Sequence, residues 1–293
     1  MSPAILPGDA HPALARDIAR QAGLPLVKVA IAAFADGETR VRIEEDVGGR
    51  DLYLVQPTCV PANERLATLA LLADAARAEG AARVTAVIPC FGYARQDVRK
   101  AGEPRSAQLA ARLLAAAGIG RVIVLELHSP ALESAFPMPV TQLRADDVLL
   151  PVIRPQCVIV SPDAGGLKRA QRYALALGAP LAVVTKERSG DDMAAPLQVL
   201  GEVRGRDCMI VDDLASTGRT IAGAAQALAA AGAREVRAAF VHAVMAPGAL
   251  ERMRAAGVRS IVTTDSVGPV SLAGIEVVSS APLFVTALRK EIP

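Results

Sequence analysis

The chain has 293 residues, enough for one large domain or two of ordinary size, and its 52% hydrophobic against 21% charged residues allow a sizeable core. A net charge of +2, no tryptophan and 3% aromatics exclude the electrostatic footprint of a nucleic-acid binder and a stacking platform for single strands. No apolar run reaches the roughly 18–20 residues of a membrane span, and Met1–Ala10, with Pro3, Pro7, Gly8 and Asp9, has no basic start and apolar stretch of a secretory signal. The expected setting is the cytoplasm, without membrane or nucleic-acid partners.

Short β-branched runs alternate with longer Ala/Leu-rich amphipathic runs. In chain order the pattern predicts strand Asp51–Val55, helix Glu64–Glu79, strand Val84–Pro89, helix Ser106–Ala117 and strand Arg121–Leu127. After a stretch punctuated by Pro137, Pro139, Pro151 and Pro155 come strand Cys157–Val160, helix Gly165–Leu177 and strand Leu181–Val184. Strand Cys208–Val211, helix Thr220–Ala231, strand Val236–Ala243, helix Pro247–Ala256 and strand Ser260–Thr263 follow. The strands are apolar throughout, as strands covered on both faces are. The alternation predicts an α/β fold of mainly parallel sheets flanked by helices. Gly80, Gly118, Gly178, Gly232 and Gly257 fall where the helices should end. The two halves share one rhythm, so the boundary is placed near residues 140–150, giving domains 1–145 and 146–293.

None of Cys59, Cys90, Cys157 and Cys208 forms a C-x-x-C pair, and all are expected to be buried, reduced thiols. The only lysines are Lys28, Lys100, Lys168, Lys186 and Lys290, which makes a lysine in a special position easy to notice.

Ligands of such sheets bind at the carboxyl ends of strands. The densest cluster there is Asp212-Asp213-Leu214-Ala215-Ser216-Thr217-Gly218-Arg219-Thr220, between the strand from Cys208 and a helix. Its hydroxyls, a glycine that admits close approach and the new helix N-terminus suit a phosphate monoester. The adjacent carboxylates suit neighbouring ribose hydroxyls. Asp163, in Ser161–Arg169, stands at another strand end with Gly165 and Gly166, where a metal or sugar ligand belongs. In Leu125-Glu126-Leu127-His128, period-2 alternation puts Glu126 and His128 on one face, able to hold a divalent cation. Phe34-Ala35-Asp36-Gly37-Glu38 joins a rare aromatic to two acids, and Phe91–Asp97 carries an aromatic and Arg95 that suit a purine ring. Lys186 and Arg188 share a polar loop able to close over phosphoryl charge.

Taken in order, these motifs resemble the ribose-phosphate diphosphokinase (phosphoribosyl pyrophosphate synthetase) family. The resemblance runs from about Phe34 to Asp265 and rests on Phe34–Glu38, Gln56-Pro57-Thr58, Thr85–Pro89 with Phe91–Asp97, Leu127-His128, Ser161–Gly166 and Asp212–Thr220. It implies two phosphoribosyltransferase-like domains. It implies an enzyme that moves a diphosphoryl group from Mg·ATP to the 1-hydroxyl of ribose 5-phosphate and releases AMP. Phe34, Asp36 and Glu38 of one subunit, with Arg95, Gln96 and Asp97 of its neighbour, would hold ATP. His128 and Asp163 would hold Mg²⁺. Asp163, Asp212, Asp213 and Ser216, Thr217, Gly218, Arg219 and Thr220 would bind ribose 5-phosphate, and Lys186 and Arg188 would stabilise the transferring group. A shared ATP site implies a homo-oligomer built from dimers. The chain departs from the family pattern at Glu187, between the two catalytic cations, and at Val98, Cys90 and Glu126. The competing readings are a phosphoribosyltransferase and a non-catalytic regulatory paralogue.

Overall fold

The computed structural model describes residues 2–154, 156–186, 197–268 and 274–292. They form two compact units: Met1–Ala145 with Ser266–Pro269 and Ser279–Pro293, and Asp146–Asp265 with Val270–Val278.

The first unit contains β1 (Pro3–Pro7), α1 (Pro12–Ala22), β2 (Val29–Ala33), β3 (Thr39–Ile43), β4 (Asp51–Val55), α2 (Ala62–Ala78), β5 (Arg83–Ile88), α3 (Ser106–Ala116), β6 (Arg121–Leu125) and β7 (Val140–Leu143). The main sheet is parallel, in the order β1-β4-β5-β6-β7. β1 carries proline at both ends and lies at the sheet edge, where a missing N–H breaks no ladder. Leu52, Leu54, Val84, Ala86 and Ile88 from the sheet pack with Leu69, Leu72, Ala111 and Leu114 from α2 and α3. β2 and β3 make a separate antiparallel hairpin, and Val29, Ile31, Val41 and Ile43 turn one face to that core.

The second unit contains α4 (Asp146–Leu149), β8 (Val158–Ser161), α5 (Leu167–Leu177), β9 (Leu181–Lys186), β10 (Leu197–Leu200), β11 (Asp207–Ala215), α6 (Arg219–Ala230), β12 (Glu235–Ala243), α7 (Ala249–Ala255), β13 (Val258–Thr264) and β14 (Ile275–Val278). Its sheet runs β10-β9-β8-β11-β12-β13-β14, parallel except that β10 is antiparallel to β9. α8 (Ala281–Glu291) closes the chain and packs on α1.

Every predicted strand and helix is present, with shifted ends. The five glycines expected past helices all have left-handed φ, Gly178 at 59° closing α5. Among the described residues no helix is long and apolar enough to cross a membrane.

Two expectations are corrected. The second domain is not 146–293, because α8 belongs to the first unit. Its buried face, with Leu283, Phe284, Val285, Ala287 and Leu288, answers Leu14, Ala15 and Ile18 of α1, and Arg289 Nη2 donates to the Gln21 carbonyl at 2.9 Å. The cysteines are not all reduced thiols, since Cys59 and Cys90 form a disulfide. β4 and β5 are neighbours, so the loops leaving them run side by side and bring the two Cα atoms to 6.0 Å, within bonding range. Cys157 and Cys208 are free and buried, and burial pushes the Cys208 thiol up to about 11.

Candidate active site

In the second unit β11 continues past the predicted Val211, so Asp212 and Asp213 are strand residues and the turn is Ser216–Gly218. Alternation along a strand would part adjacent side chains. Here Arg169 Nη1 lies 3.7 Å from Asp212 Oδ1 and 3.6 Å from Asp213 Oδ1. Asp212 Oδ1 also accepts the Asp213 N–H at 2.9 Å. Burial, then the neighbouring Asp213 charge, holds the Asp212 carboxyl well above the usual carboxylate range.

That strain has a measurable consequence. A carboxyl with a raised folded-state pKa keeps its proton in the folded chain after the unfolded chain has lost it. The contribution of this one carboxyl to stability is therefore fully present below about pH 4 and is lost as pH rises through its raised pKa. Asp212→Asn is expected to raise the thermal midpoint at pH 7, with the difference shrinking towards pH 4. An unchanged midpoint at both pH values would show that the carboxylate is not strained.

The turn after β11 is held from outside. Met245 N–H donates to Ala215 O at 2.9 Å, Ala246 N–H to Ser216 O at 3.0 Å, and Arg252 Nη1 donates to Thr217 O. Gly218 has φ 72°, and a Cβ there would come within 2.8 Å of the Ala249 carbonyl and 3.1 Å of Met253 Cγ. The position thus needs glycine for both conformation and space. Thr217, Arg219 and Thr220 are exposed and Ser216 half-buried, so the turn and the start of α6 face solvent.

The neighbouring β8 ends in a second turn, where Asp163 is exposed. Asp163 Oδ1 accepts the Gly166 N–H at 2.9 Å, and Ser161 Oγ donates to Asp163 O at 2.7 Å. Pairing of β8 with β11 from Val158 to Val160 brings both turns to one edge of the sheet. β9, on the other side of β8, carries Lys186 as its last residue. Glu187 and Arg188 lie outside the described residues.

In the first unit the other motifs lie on the separate β2–β3 hairpin and on the loops after β5 and β6. Phe34–Glu38 is the tip of the β2–β3 hairpin, closed by Phe34 N–H to Glu38 O at 2.8 Å and by Glu38 N–H to Asp36 Oδ1 at 3.1 Å. Phe34 is 50% exposed there, an uncommon place for one of five phenylalanines. The loop after β5 hangs on Thr58. Thr58 N–H donates to Cys90 O at 2.8 Å, and Gly92 N–H donates to Thr58 Oγ1 at 2.8 Å. Arg95 and Gln96 are exposed beyond it, Ser106 Oγ donates to Gln96 Oε1 at 2.6 Å, and Ser129 Oγ donates to Asp97 Oδ2 at 2.6 Å.

β6 stops at Leu125, and Glu126 has φ 43°, which breaks the expected alternation. Glu126 is buried and accepts the Ala145 N–H at 3.3 Å, while His128 is exposed. The two therefore do not share a face. Tyr93, Glu126 and Met245, three of the four described non-glycine residues with left-handed φ, all follow the carboxyl ends of strands. Backbone strain gathers where function does.

Sequence reasoning passed over Arg169. A signal was present: Lys168 and Arg169 put two cations in the first turn of α5, the positive end of its dipole. A local rule broken without local gain marks a position serving something else.

The family model described as the N-terminal domain of ribose phosphate pyrophosphokinase matches residues 3–118, and that described as the phosphoribosyl transferase domain matches residues 152–273. The ribose-phosphate pyrophosphokinase of Burkholderia pseudomallei is 39% identical over 90% of this chain and 85% of its own length. That of Helicobacter pylori is 38% identical over 98% and 92%. The chain belongs to the ribose-phosphate pyrophosphokinase family. The chloroplastic ribose-phosphate pyrophosphokinase 1 of Arabidopsis thaliana is 44% identical over 89% of this chain and 66% of its own. The solved phosphoribosylpyrophosphate synthetase of Mycobacterium smegmatis superposes with a TM-score of 0.92 at 34% identity over 99% of both chains. The two units are therefore the two α/β domains of a ribose-phosphate pyrophosphokinase, the second of phosphoribosyltransferase type.

Proposed function

We propose that this enzyme transfers the diphosphoryl group of Mg·ATP to the 1-hydroxyl of ribose 5-phosphate, giving 5-phosphoribosyl 1-diphosphate and AMP. The observation that carries the reading is the end of β11, where half-buried Asp212 and buried Asp213 beside Arg169 adjoin a hydroxyl-rich turn that opens α6. Asp212 and Asp213 accept hydrogen bonds from the ribose hydroxyls. Ser216, Thr217, Thr220, the Gly218 backbone and the first N–H groups of α6 take the 5-phosphate, with Arg219 adding positive charge.

Phe34 stacks on adenine, and Asp36 and Glu38 accept from the nucleoside. Arg95, Gln96 and Asp97 of a neighbouring copy complete the ATP site, so the working enzyme is a homo-oligomer built from dimers. The exposure of Phe34 at a hairpin tip supports that sharing. Phe34→Ala is expected to raise the KM for ATP roughly five- to a hundredfold, the value of one lost base–aromatic stack. An unchanged KM would remove Phe34 from the site.

The carboxylate of Asp163 is an oxygen donor of the kind that Mg²⁺ takes. Among the described residues no three acidic, histidine or cysteine side chains gather as a cage, and Mg²⁺ commonly uses one or two carboxylates and completes its shell with water and substrate phosphates. Exposed Asp163 and His128 are the side chains that would hold it. When bound, it neutralises phosphate charge. The residues of this chain contribute alignment of the two substrates, and Lys186 and Arg188 offset charge as it develops.

Phosphorus NMR of the protein with ATP, Mg²⁺ and ribose 5-phosphate should show AMP and phosphoribosyl diphosphate, and only when the sugar is present. ADP in place of AMP would overturn the reaction. ATP binding without turnover would make the protein a regulatory paralogue.

A further inference from the structure

The loops that leave β4 and β5 are bound to each other by links of two kinds. Thr58 N–H donates to Cys90 O at 2.8 Å, Gly92 N–H donates to Thr58 Oγ1 at 2.8 Å, and Tyr93 Oη donates to Asn63 Oδ1. The Cys59–Cys90 disulfide joins the same two loops covalently. What these links hold is the start of a strained segment. Gly92 passes so near the Thr58 backbone that a Cβ would come within 2.1 Å of Thr58 O, and Tyr93 has φ 64°, a left-handed conformation that an aromatic residue seldom adopts. Backbone kept there needs its surroundings to fix it. Exposed Arg95 and Gln96 come next, and then Asp97, whose Oδ2 accepts from Ser129 Oγ at 2.6 Å. The segment is thus anchored at Cys90 on one side and at Asp97 on the other, with Arg95 and Gln96 between. Cys59 is 8% exposed and Cys90 3%, and the chain beside Cys59 runs through exposed Val60 and Pro61, so an incoming thiolate meets Cys59 first. Cys157 and Cys208 are buried thiols whose pKa burial raises, which leaves them poor competitors as nucleophiles.

We propose that Cys59–Cys90 is a thiol–disulfide exchange site, reduced by an external dithiol, whose state sets how firmly the segment Arg95–Asp97 is held for ATP. The proposal rests on the reading of that segment as part of the ATP site. A thiolate of the dithiol attacks Cys59 Sγ, the Cys59–Cys90 bond breaks, and its electron pair leaves on Cys90 Sγ, which takes up a proton. The second thiol of the reductant then displaces Cys59 as a thiolate, which is protonated in turn, and the reductant ends as a disulfide. Two electrons and two protons pass to the protein, and an external disulfide takes them back by the reverse steps. The hydrogen bonds at Thr58 do not depend on the sulfurs, so reduction loosens the segment without parting the loops. A loop that is not already held in its binding conformation must be ordered by the ligand, which lowers affinity. Reduction therefore weakens ATP binding and spares sugar-phosphate binding, which the turn of the second unit serves.

The test uses the full chain, treated with dithiothreitol or with oxidised glutathione, and two variants, Cys59→Ser and Arg95→Ala. Alkylation in denaturant followed by peptide mass spectrometry should find Cys59 and Cys90 linked to each other in the oxidised chain and all four cysteines free in the reduced one. The KM for ATP should be about three- to tenfold higher in the reduced chain, the cost of ordering one or two side chains, while the KM for ribose 5-phosphate stays within about twofold. Cys59→Ser should show the reduced chain's KM for ATP after either treatment, and Arg95→Ala should raise it after both. Calorimetric ATP affinity should follow the same pattern, so the result does not depend on turnover. Free Cys59 and Cys90 after oxidation would remove the site. Equal ATP affinity in the two states, with Arg95→Ala weakened, overturns the exchange site and leaves the ATP segment standing. A redox response that persists in Cys59→Ser has its origin elsewhere and overturns the proposal too. Equal losses for both substrates on reduction would make the disulfide a structural staple and count against it in the same way. If Arg95→Ala binds ATP as the parent does, the segment itself was misassigned and the coupling falls with it.

Discussion

Alanine at Lys186 is expected to lower kcat by a factor of about 10²–10³, the cost of losing one group aimed at transition-state charge. ATP affinity measured by calorimetry should stay within about twofold. The separation follows from when the charge appears. Ground-state ATP is bound by many groups, whereas negative charge on the transferring phosphoryl oxygens builds only as the bond to AMP breaks. A group serving the transition state moves kcat and kcat/KM together and leaves binding alone. The fold gives Lys186 a fixed root. β9 carries it to its last position, and the antiparallel β10 pairs Lys186 with Leu197. Single-turnover release of AMP is the decisive measurement, and a mutant as fast as the parent would end the catalytic role.

Phe240→Ala should cost about 3–5 kcal/mol of stability, the usual range for a fully buried Phe truncated to Ala. Phe240 has no solvent exposure and lies on β12, paired with Asp212 of β11 on one side and Thr263 of β13 on the other. Its neighbours in the core include Ile210, Ile221, Leu228, Met253 and Ile261, drawn from two strands and two helices. That surround cannot collapse on a hole without moving the sheet. The urea midpoint followed by circular dichroism should fall, with loss of sugar affinity in the surviving folded fraction because the void opens beside Asp212. A change below about 1 kcal/mol would mean that the helices close the gap.

The α/β class was legible because β4, β5, β6 and β12 are buried on both faces and so read as mainly apolar runs. β1 was hidden by prolines that an edge strand tolerates. The β2–β3 hairpin was hidden by Arg40 and Arg42 on its wet side. β7 and β14 are four residues each, too short for periodicity to speak. The turn after β11 was readable because phosphate chemistry imposes hydroxyls, glycine and a helix start in one short span. The disulfide was not, since Cys59 and Cys90 are separated by 31 residues and meet only after α2 has carried the chain between adjacent strands. Arg169 was invisible for the same reason: its partners come from a strand some 40 residues later, through the β8–β11 pairing.

The return of α8 to the first unit bears on how the molecule is made. During synthesis residues 1–145 emerge first, but α1, with its buried Leu14, Ala15 and Ile18, then has β1 and not yet α8 to pack against. The helix that covers them follows the whole of the second unit in the chain. The second unit is encoded as an insertion within the first and can complete its own sheet earlier. The order of completion is therefore the reverse of the order of translation. A truncation at the apparent midpoint would leave an amino-terminal half with an open apolar face, prone to self-association.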